Sequence, residues 1–385
     1  MKSDKINLLT LISYQFSLGK SGGQLAHIYF HNYISEYLNT HIAGTYSNDF
    51  ENETVSIKFQ YHKVFGKISP YIPLSYLLSL RHLVKKEHVN VVMCSHPYMG
   101  ITAYVLSKIS KTSLVSYSHN IESTRFQSLG KWWWKILFYY EKWVLQVSKI
   151  VFFVAEEDRK WAVQNYNLNE TKCIVSPFGI NLQEIPEKSF ERRNNFKIKY
   201  KILENEKILY FVGTYNYAPN DKAVLDIIDN IYPKLMAETQ DFKILIIGKG
   251  LNEKIVSKIN KTNNNIIYVG FVENIRDILD SADIMLNPML SGGGIKTKAV
   301  EALGNNIKVI STENGAGGLD SSVCGDMLLI SKDNDWNAYV ENIISAMKLK
   351  TTIPNTFYDH YFWGNVTKRV ADGLVTLISL PTRVH

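Results

Sequence analysis

Ser291-Gly292-Gly293-Gly294-Ile295-Lys296-Thr297-Lys298-Ala299-Val300-Glu301-Ala302-Leu303 stands directly after a short apolar run, residues 284–287, and opens a helical pattern. Three consecutive glycines let the backbone come close to a ligand and bare its N–H groups. A helix start adds a partial positive charge that favours phosphate, and Lys296 adds a full one. Glu301, a turn or two into the helix, accepts hydrogen bonds from ribose hydroxyls if it faces the ligand. The same letters also describe a plain glycine turn before a surface helix.

Outward from this segment the chain repeats one unit, a short β-branched run followed by a longer helical pattern. Residues 6–13, 89–94, 113–117 and 150–154 read as strands, with helices over 22–38, 98–109 and 132–147. Residues 183–206 are polar and charge-rich and read as a linker leading into a charged helix. The rhythm then restarts with strands at 208–212, 243–247, 266–269, 284–287 and 309–311. Alternation of this kind predicts parallel sheets covered on both faces. The expected fold is α/β, with two Rossmann-like doubly wound domains facing a cleft: residues 1–182 and residues 183–360. An amphipathic helix over 361–380 is expected to cross back to the first domain, which would then include 361–385. Open sheets of this type bind ligands beyond the carboxyl ends of their strands.

The bulk composition agrees. A length of 385 residues exceeds what one core usually spans. With 45% hydrophobic and 21% charged residues, the chain is globular in type. The net charge of +7 suits an anionic ligand, an anionic membrane surface or nucleic acid, and equally a solvated basic surface. Cys94, Cys173 and Cys324 are far apart and form no metal-ligand spacing, which fits reduced thiols in a cytoplasmic protein. The N-terminal run reads as a strand, not as a signal peptide. No stretch reaches the roughly 20 apolar residues of a membrane span.

The segment from Gly294-Ile295-Lys296 through Glu301-Ala302-Leu303, followed by Lys308-Val309-Ile310-Ser311-Thr312, resembles the donor-binding segment of family-4 retaining glycosyltransferases with the GT-B fold. Phe211-Val212-Gly213-Thr214 with Ala218-Pro219-Asn220 is similar to the start of their second domain. Ile246 to Gly250, Val269-Gly270-Phe271-Val272 and Ala282-Asp283-Ile284 resemble the elements that follow, and Pro177-Phe178-Gly179-Ile180-Asn181 the interdomain segment. The resemblance implies transfer of a sugar from a UDP- or GDP-linked donor to a hydroxyl, with retention of configuration, no metal and no further cofactor. Lys296 and Glu301 would act on the donor, with Gly213, Thr214, Val272, Gly293, Gly294, Ile295 and Lys298 lining its site. The family commonly carries a second glutamate eight positions before Glu301, where this chain has Gly293. Its usual arginine after the first strand of the second domain is replaced by Thr214-Tyr215-Asn216, which leaves the diphosphate charge to Lys296 and Lys298.

In the first domain, Gly19-Lys20-Ser21 is not a P-loop, since that pattern needs a glycine where Tyr14 stands. Gly22 and Gly23 are expected to offer paired N–H groups to the leaving phosphate, in the manner of the family's first glycine-rich loop. Ser118-His119-Asn120-Ile121-Glu122-Ser123 follows a buried strand. The resemblance places His119 against the donor sugar, where a neutral imidazole hydrogen-bonds a hydroxyl. Glu122 and Arg125 are candidate acceptor contacts, or ordinary capping and surface charges.

Lys131-Trp132-Trp133-Trp134-Lys135 opens a helix with aromatics on several faces and lysines between them. Two readings stand side by side: contact with an anionic membrane surface, or one face packed in the core and the other merely exposed. The helix over 73–86 has the same apolar and basic character. The favoured function is a bacterial glycosyltransferase acting on a surface-glycan precursor, with a glycan or lipid-linked acceptor, in the cytoplasm or at the inner face of the cell membrane. The alternative is a non-catalytic nucleotide-sugar-binding or scaffold subunit of a glycan-assembly complex. Absence of GxGxxG after either first strand argues against a nicotinamide enzyme, and scattered basic residues argue against a nucleic-acid partner.

Overall fold

The structure, a computed structural model, describes residues 5–17, 22–50, 56–292 and 294–379. The chain divides into two compact units. One runs to Asn181 and resumes at Tyr361; the other is Leu182–His360.

The first unit is built on strands β1 (Asn7–Leu11), β2 (Asn39–Thr45), β3 (Gln60–Phe65), β4 (Val91–Ser95), β5 (Ser113–Ser118), β6 (Ile150–Phe153) and β7 (Cys173–Val175). They form one parallel sheet in the order β3-β2-β1-β4-β5-β6-β7. The second unit holds β8 (Lys207–Val212), β9 (Phe242–Ile247), β10 (Ile266–Gly270), β11 (Ile284–Asn287), β12 (Lys308–Thr312) and β13 (Leu328–Ser331). Their order, β10-β9-β8-β11-β12-β13, is again all parallel. Both sheets are doubly wound, as the alternation predicts. The central strands are apolar on both faces: Val91, Val92, Met93 and Cys94 are fully buried, and so are Ile208 to Phe211. The direction of winding reverses between β1 and β4, and between β8 and β11. Loops at such switch points open a crevice.

Sequence periodicity misses β2, β3, β7 and β13. Strands β2 and β3 carry His41, Gln60, His62 and Lys63, because β3 is a half-exposed edge and β2 pairs with it. The expected helix over 22–38 ends at Ile34. Residues 183–206 contain the helix Phe190–Tyr200, started by Ser189, whose Oγ accepts from Arg192 N at 3.2 Å. This helix lacks an apolar period because ion pairs hold it. Arg192 Nε donates to Asp280 at 2.6 Å, and Arg193 pairs with Asp283 at 3.1 Å.

The C-terminal helix Trp363–Ser379 belongs to the first unit. Ile180 N donates to Tyr361 O at 2.8 Å, and Trp363 N donates to Ile180 O at 3.0 Å. Trp363 is buried and meets Phe30 of the helix Gly22–Ile34 edge to face. A Cβ on Gly179 would overlap both Trp363 and the Tyr361 carbonyl, so only glycine admits this crossing.

Candidate functional site

In the first unit, the segments following β1, β4 and β5 bring Tyr14, His96 and His119 together. Helix Gly22–Ile34 adds His27 and His31 from beside them. The His119 ring lies 4.4 Å from that of His96, 5.0 Å from His27 and 4.7 Å from Tyr117, and stacks on Phe178. His119 Nε2 is hydrogen-bonded to Ser95 Oγ at 3.0 Å, and His27 Nε2 to the Tyr14 hydroxyl. Burial, reinforced by neighbouring histidines, drives the pKa values of His27 and His119 well below the usual imidazole range. Burial likewise pushes His31 down to about 4, against an opposing bond with the His27 carbonyl. At neutral pH these three rings form an uncharged aromatic floor.

Glu122 begins the helix Glu122–Ser128 and is fully buried. Tyr98 donates to its Oε2 at 2.6 Å, and Arg125 does so at 2.8 Å. Its other oxygen lies 3.5 Å from His96 Nδ1. Burial alone would raise its carboxyl pKa. Hydrogen bonds from His96 and Tyr98, with the charges of His96 and Arg125, hold it at about 2 instead. Glu122 and Arg125 are thus one ion pair beneath the histidines. His96 was absent from the sequence candidates. Its signal was positional: the first residue past a buried strand, between Ser95 and Pro97.

His27, His96 and His119 place nitrogen atoms within 4.8 Å of one another, a spacing that a metal ion could span. Two of the three already commit Nε2 to Tyr14 and Ser95, so the constellation is built as a hydrogen-bonded cluster. His41, His62 and Glu87 form a second such group. It lies away from the strand ends, with His41 beside Leu9 in mid-sheet. Gly22 and Gly23 start the helix that carries His27, and Gly23 is exposed with open space where a side chain would be. Gly19-Lys20-Ser21 lies outside the described residues.

In the second unit the glycine-rich loop links β11 to the helix Thr297–Gly304. Gly292 and Gly294 have φ values of 100° and 72°, so the loop needs glycine at both; Gly293 lies outside the described residues. Lys296 folds back on this loop, donating to the carbonyls of Gly292 at 2.7 Å and Gly294 at 3.0 Å. Burial lowers its pKa to about 8. Lys298 reaches across the switch point and donates to Val212 O, the last residue of β8, at 2.7 Å, with the Phe211 ring 4.4 Å beneath its ammonium. Burial, then the charge of Lys296, brings Lys298 to about 7. A cation therefore stands at the end of β8, though it comes from the helix and not from the loop after the strand.

Glu301 retains accessible surface, yet protein crowds around its carboxyl. That partial desolvation raises its pKa, with Arg276 opposing. Gly213 sits under Asn220, whose side chain donates to Thr214 O at 2.9 Å; Thr214 itself is exposed. Ile295 is buried against Gly318, and Val272 is half-buried two residues past β10. Two groups result. Gly213, Thr214 and Lys298 meet at the end of β8, while Gly292, Gly294 and Lys296 form the loop beyond β11.

Helix Trp134–Val147 buries Leu137, Glu141, Val144 and Leu145. Its opposite side shows Ile136 and Tyr139 66% and 71% exposed, continued by Trp132 at 83%. Trp133 instead packs on Phe126 at 4.6 Å, and Trp134 lies beside Lys135. The helix thus has one packed face and one exposed face. A recess of about 300 Å³, lined by Tyr71, Pro73, Tyr98, Ile101, Thr102 and Tyr140, opens beside the Tyr98–Glu122 pair. The three cysteines are free and buried. Among the described residues no helix is long and apolar enough to cross a membrane.

Known proteins agree with this layout. Residues 206–348 match the group 1 glycosyl transferases, and residues 40–184 match glycosyltransferase family 4. An uncharacterised 44.6 kDa protein of the cps region of Klebsiella pneumoniae is 26% identical over 279 residues, 70% of this chain and 68% of that one. The O-antigen biosynthesis glycosyltransferase WbnH of Escherichia coli is 21% identical over 215 residues, 55% of each. Anabaena HepE, crystallised with UDP, superposes with a TM-score of 0.73 over 97% of this chain and 100% of its own, at 12% identity. With one family match on each sheet and the shared two-domain architecture, the chain is a glycosyltransferase of group 1 with the GT-B fold.

Proposed function

We propose that the protein moves a glycosyl unit from a nucleotide-diphosphate sugar to a hydroxyl of a bacterial surface-glycan precursor. The observation that carries the reading is the β11 loop. Positive-φ glycines there lead into a helix start flanked by Lys296, at the switch point where Lys298 spans to β8. Such a helix start, with two lysines, attracts a diphosphate. On binding, Lys296 exchanges the loop carbonyls for phosphate oxygens, and Glu301 accepts from the ribose hydroxyls. In this reading lysines and helix dipoles neutralise the leaving group without a metal, and configuration at the transferred carbon is retained.

The acceptor belongs to the first unit. The recess beside Glu122 takes its apolar or sugar portion, and Arg125 its charge. The relatives in a cps region and in O-antigen biosynthesis favour a cell-surface glycan. Trp132, Ile136 and Tyr139, with Lys131 and Lys135 among them, fit an anionic bilayer surface and hence an acceptor carried there.

A thermal-shift panel of UDP- and GDP-sugars tests the donor, because a ligand that binds only the native state raises its stability. UDP-glucose leads the panel. Glu301→Ala and Lys296→Ala should abolish transfer while melting stays cooperative. Wild-type rates in both would sink the reading, and tight donor binding without turnover would make the protein a binding subunit.

A further inference from the structure

Strands β2 and β3 set two imidazoles into one face of the first sheet. His41 pairs with Leu9 on one side and Gln60 on the other, and His62 pairs with Ala43. Paired residues of neighbouring strands share a face, so both histidines lie among the apolar side chains of Leu9 and Ala43. Helix Leu77–Lys86 covers this face, with Leu80, Leu83 and Val84 in one core with Leu9 and Ala43. Its C-cap residue, Glu87, arrives beside the histidines. His41 is buried, and His62 and Glu87 are half-buried.

Three ligand atoms converge here. His41 Nδ1 and His62 Nε2 are 3.2 Å apart while the ring centroids are 5.5 Å apart, a difference that the two ring radii take up. The rings therefore meet nitrogen to nitrogen, not face to face. Two imidazole nitrogens bound at about 2.0 Å to one tetrahedral zinc stand about 3.3 Å apart. Glu87 Oε2 lies 3.9 Å from His41 Nδ1, too far for a hydrogen bond but within the span of two such metal bonds. Its other oxygen, Oε1, pairs with the exposed Lys86 at 3.2 Å. All three ligand atoms lie within 4.8 Å of one another. In the His27 cluster Tyr14 and Ser95 take up two nitrogens. Among the described residues, His41 Nδ1 and His62 Nε2 hydrogen-bond to each other.

We propose that His41 Nδ1, His62 Nε2 and Glu87 Oε2 bind one Zn²⁺ ion, with water at the fourth position. Two imidazoles and a carboxylate suit a late first-row divalent cation, whereas Mg²⁺ and Ca²⁺ prefer oxygen ligands. On binding, the rings turn until both lone pairs meet at the ion. The proton they shared moves through water to the far nitrogen of the ring that carried it, so both imidazoles bind neutral. The carbonyl end of helix Leu77–Lys86 adds partial negative charge beside the ion. The site lies in mid-sheet, away from the strand ends where α/β proteins bind substrates, so its work is structural. It fastens the edge strand β3 to β2 and to the end of the helix, and so steadies an edge that is half-exposed. The ion takes no part in glycosyl transfer.

The test strips the full chain with a chelator, removes the chelator and titrates zinc chloride, following binding by calorimetry and stability by thermal melting. Wild type should take up one equivalent saturably. At zinc about 100 times Kd its melting temperature should rise by about 5 °C. His62→Ala changes a half-exposed edge position, and Glu87→Gln keeps the side chain's shape, so both should melt near wild type without zinc. Each should bind zinc at least about tenfold more weakly and lose the shift, since losing a ligand costs no less than losing an outer-shell partner. Lys86→Ala removes a rival cation from Glu87 and should tighten binding. A wild type that takes up no zinc overturns the site, and so does an affinity unchanged in both His62→Ala and Glu87→Gln. Neither readout involves turnover, so failure here leaves the donor reading standing.

Discussion

Glu141 Oε1 accepts a hydrogen bond at 2.9 Å from the backbone N–H of Glu122, so a carboxylate on one helix closes the start of another. Its second oxygen accepts from Ser123 N at 2.9 Å and from the Tyr166 hydroxyl at 2.6 Å. The N-cap residue Ile121 has no side-chain oxygen to offer, and Glu141 caps the helix from 19 residues away. Because Glu141 is fully buried, Glu141→Ala strands two N–H groups, while the Tyr166 hydroxyl keeps Ser123 Oγ, at a cost of about 3 kcal/mol. Urea melts should show that loss. A variant as stable as wild type would remove Glu141 as the cap.

Glu122 makes the first unit sensitive to acid. Its folded pKa, about 2, lies below the ordinary glutamate value of 4.5. A depressed carboxyl contributes stability that is full above the unfolded pKa and is lost as pH falls through the folded one. That contribution, on the order of 3 kcal/mol, should fade between about pH 4.5 and 2. Glu122→Gln should flatten this part of the stability curve; an unchanged slope would assign the acid sensitivity elsewhere.

Lys296 sets the opposite limb for nucleotide binding. With its pKa lowered to about 8 in the free protein, it loses its charge as pH rises past that value. Affinity for UDP should weaken by up to about tenfold per pH unit above it, until the bound-state pKa is passed. Lys296→Arg keeps that charge throughout and should make the fall in affinity from pH 7 to 9 shallower, leaving the part due to Lys298, whose pKa burial lowers to about 7. Calorimetric titration across that range decides the matter.

Two glycines of the second unit separate space from backbone strain. Gly248 has a φ of 128°, and an added Cβ would overlap the Gly213 carbonyl oxygen. Gly270 has a φ of 75° but nothing within 4 Å of the same position. Gly270→Ala should cost about 1 kcal/mol, the strain alone. Gly248→Ala should cost over about 3 kcal/mol or prevent folding, since β8 and β9 would be forced apart. Equal melting temperatures would show that the Gly213 turn yields freely.

Trp132 and Trp133 should part company in the same way. Trp132→Ser leaves melting unchanged and weakens flotation with anionic liposomes; Trp133→Ser lowers stability through its lost contact with Phe126. Flotation unaffected by Trp132→Ser would sink the proposed membrane contact of this face.

These features differ in how openly the sequence carries them. The β11 loop was legible because glycines, lysine and glutamate all lie within a dozen residues. Strands such as β4 and β8 were legible because burial on both faces makes them apolar throughout. His96 fell between a strand read as ending at residue 94 and a helix read as starting at 98, and nothing in the letters announces a positive φ. The roles of Glu141 and Lys298 depend on partners 19 and 86 positions away, Glu122 and Val212, which only the folded sheet brings close. Strands β2 and β3 hid behind histidines and a lysine: β3 is half-exposed, and the buried His41 of β2 meets His62 of β3.

The pairing of Ile180 with Phe362 has one more result. The chain leaves the first unit and re-enters it at points joined by two backbone hydrogen bonds, so residues 182–360 form a closed loop hung from this clasp. Bringing these ends together costs closure entropy, but that cost grows only slowly with loop length, so a long excursion is tolerated. The second unit is therefore a cassette. A short peptide joining residue 181 to residue 361 should leave the first sheet and its helix intact, and a different donor module could be hung on the same clasp.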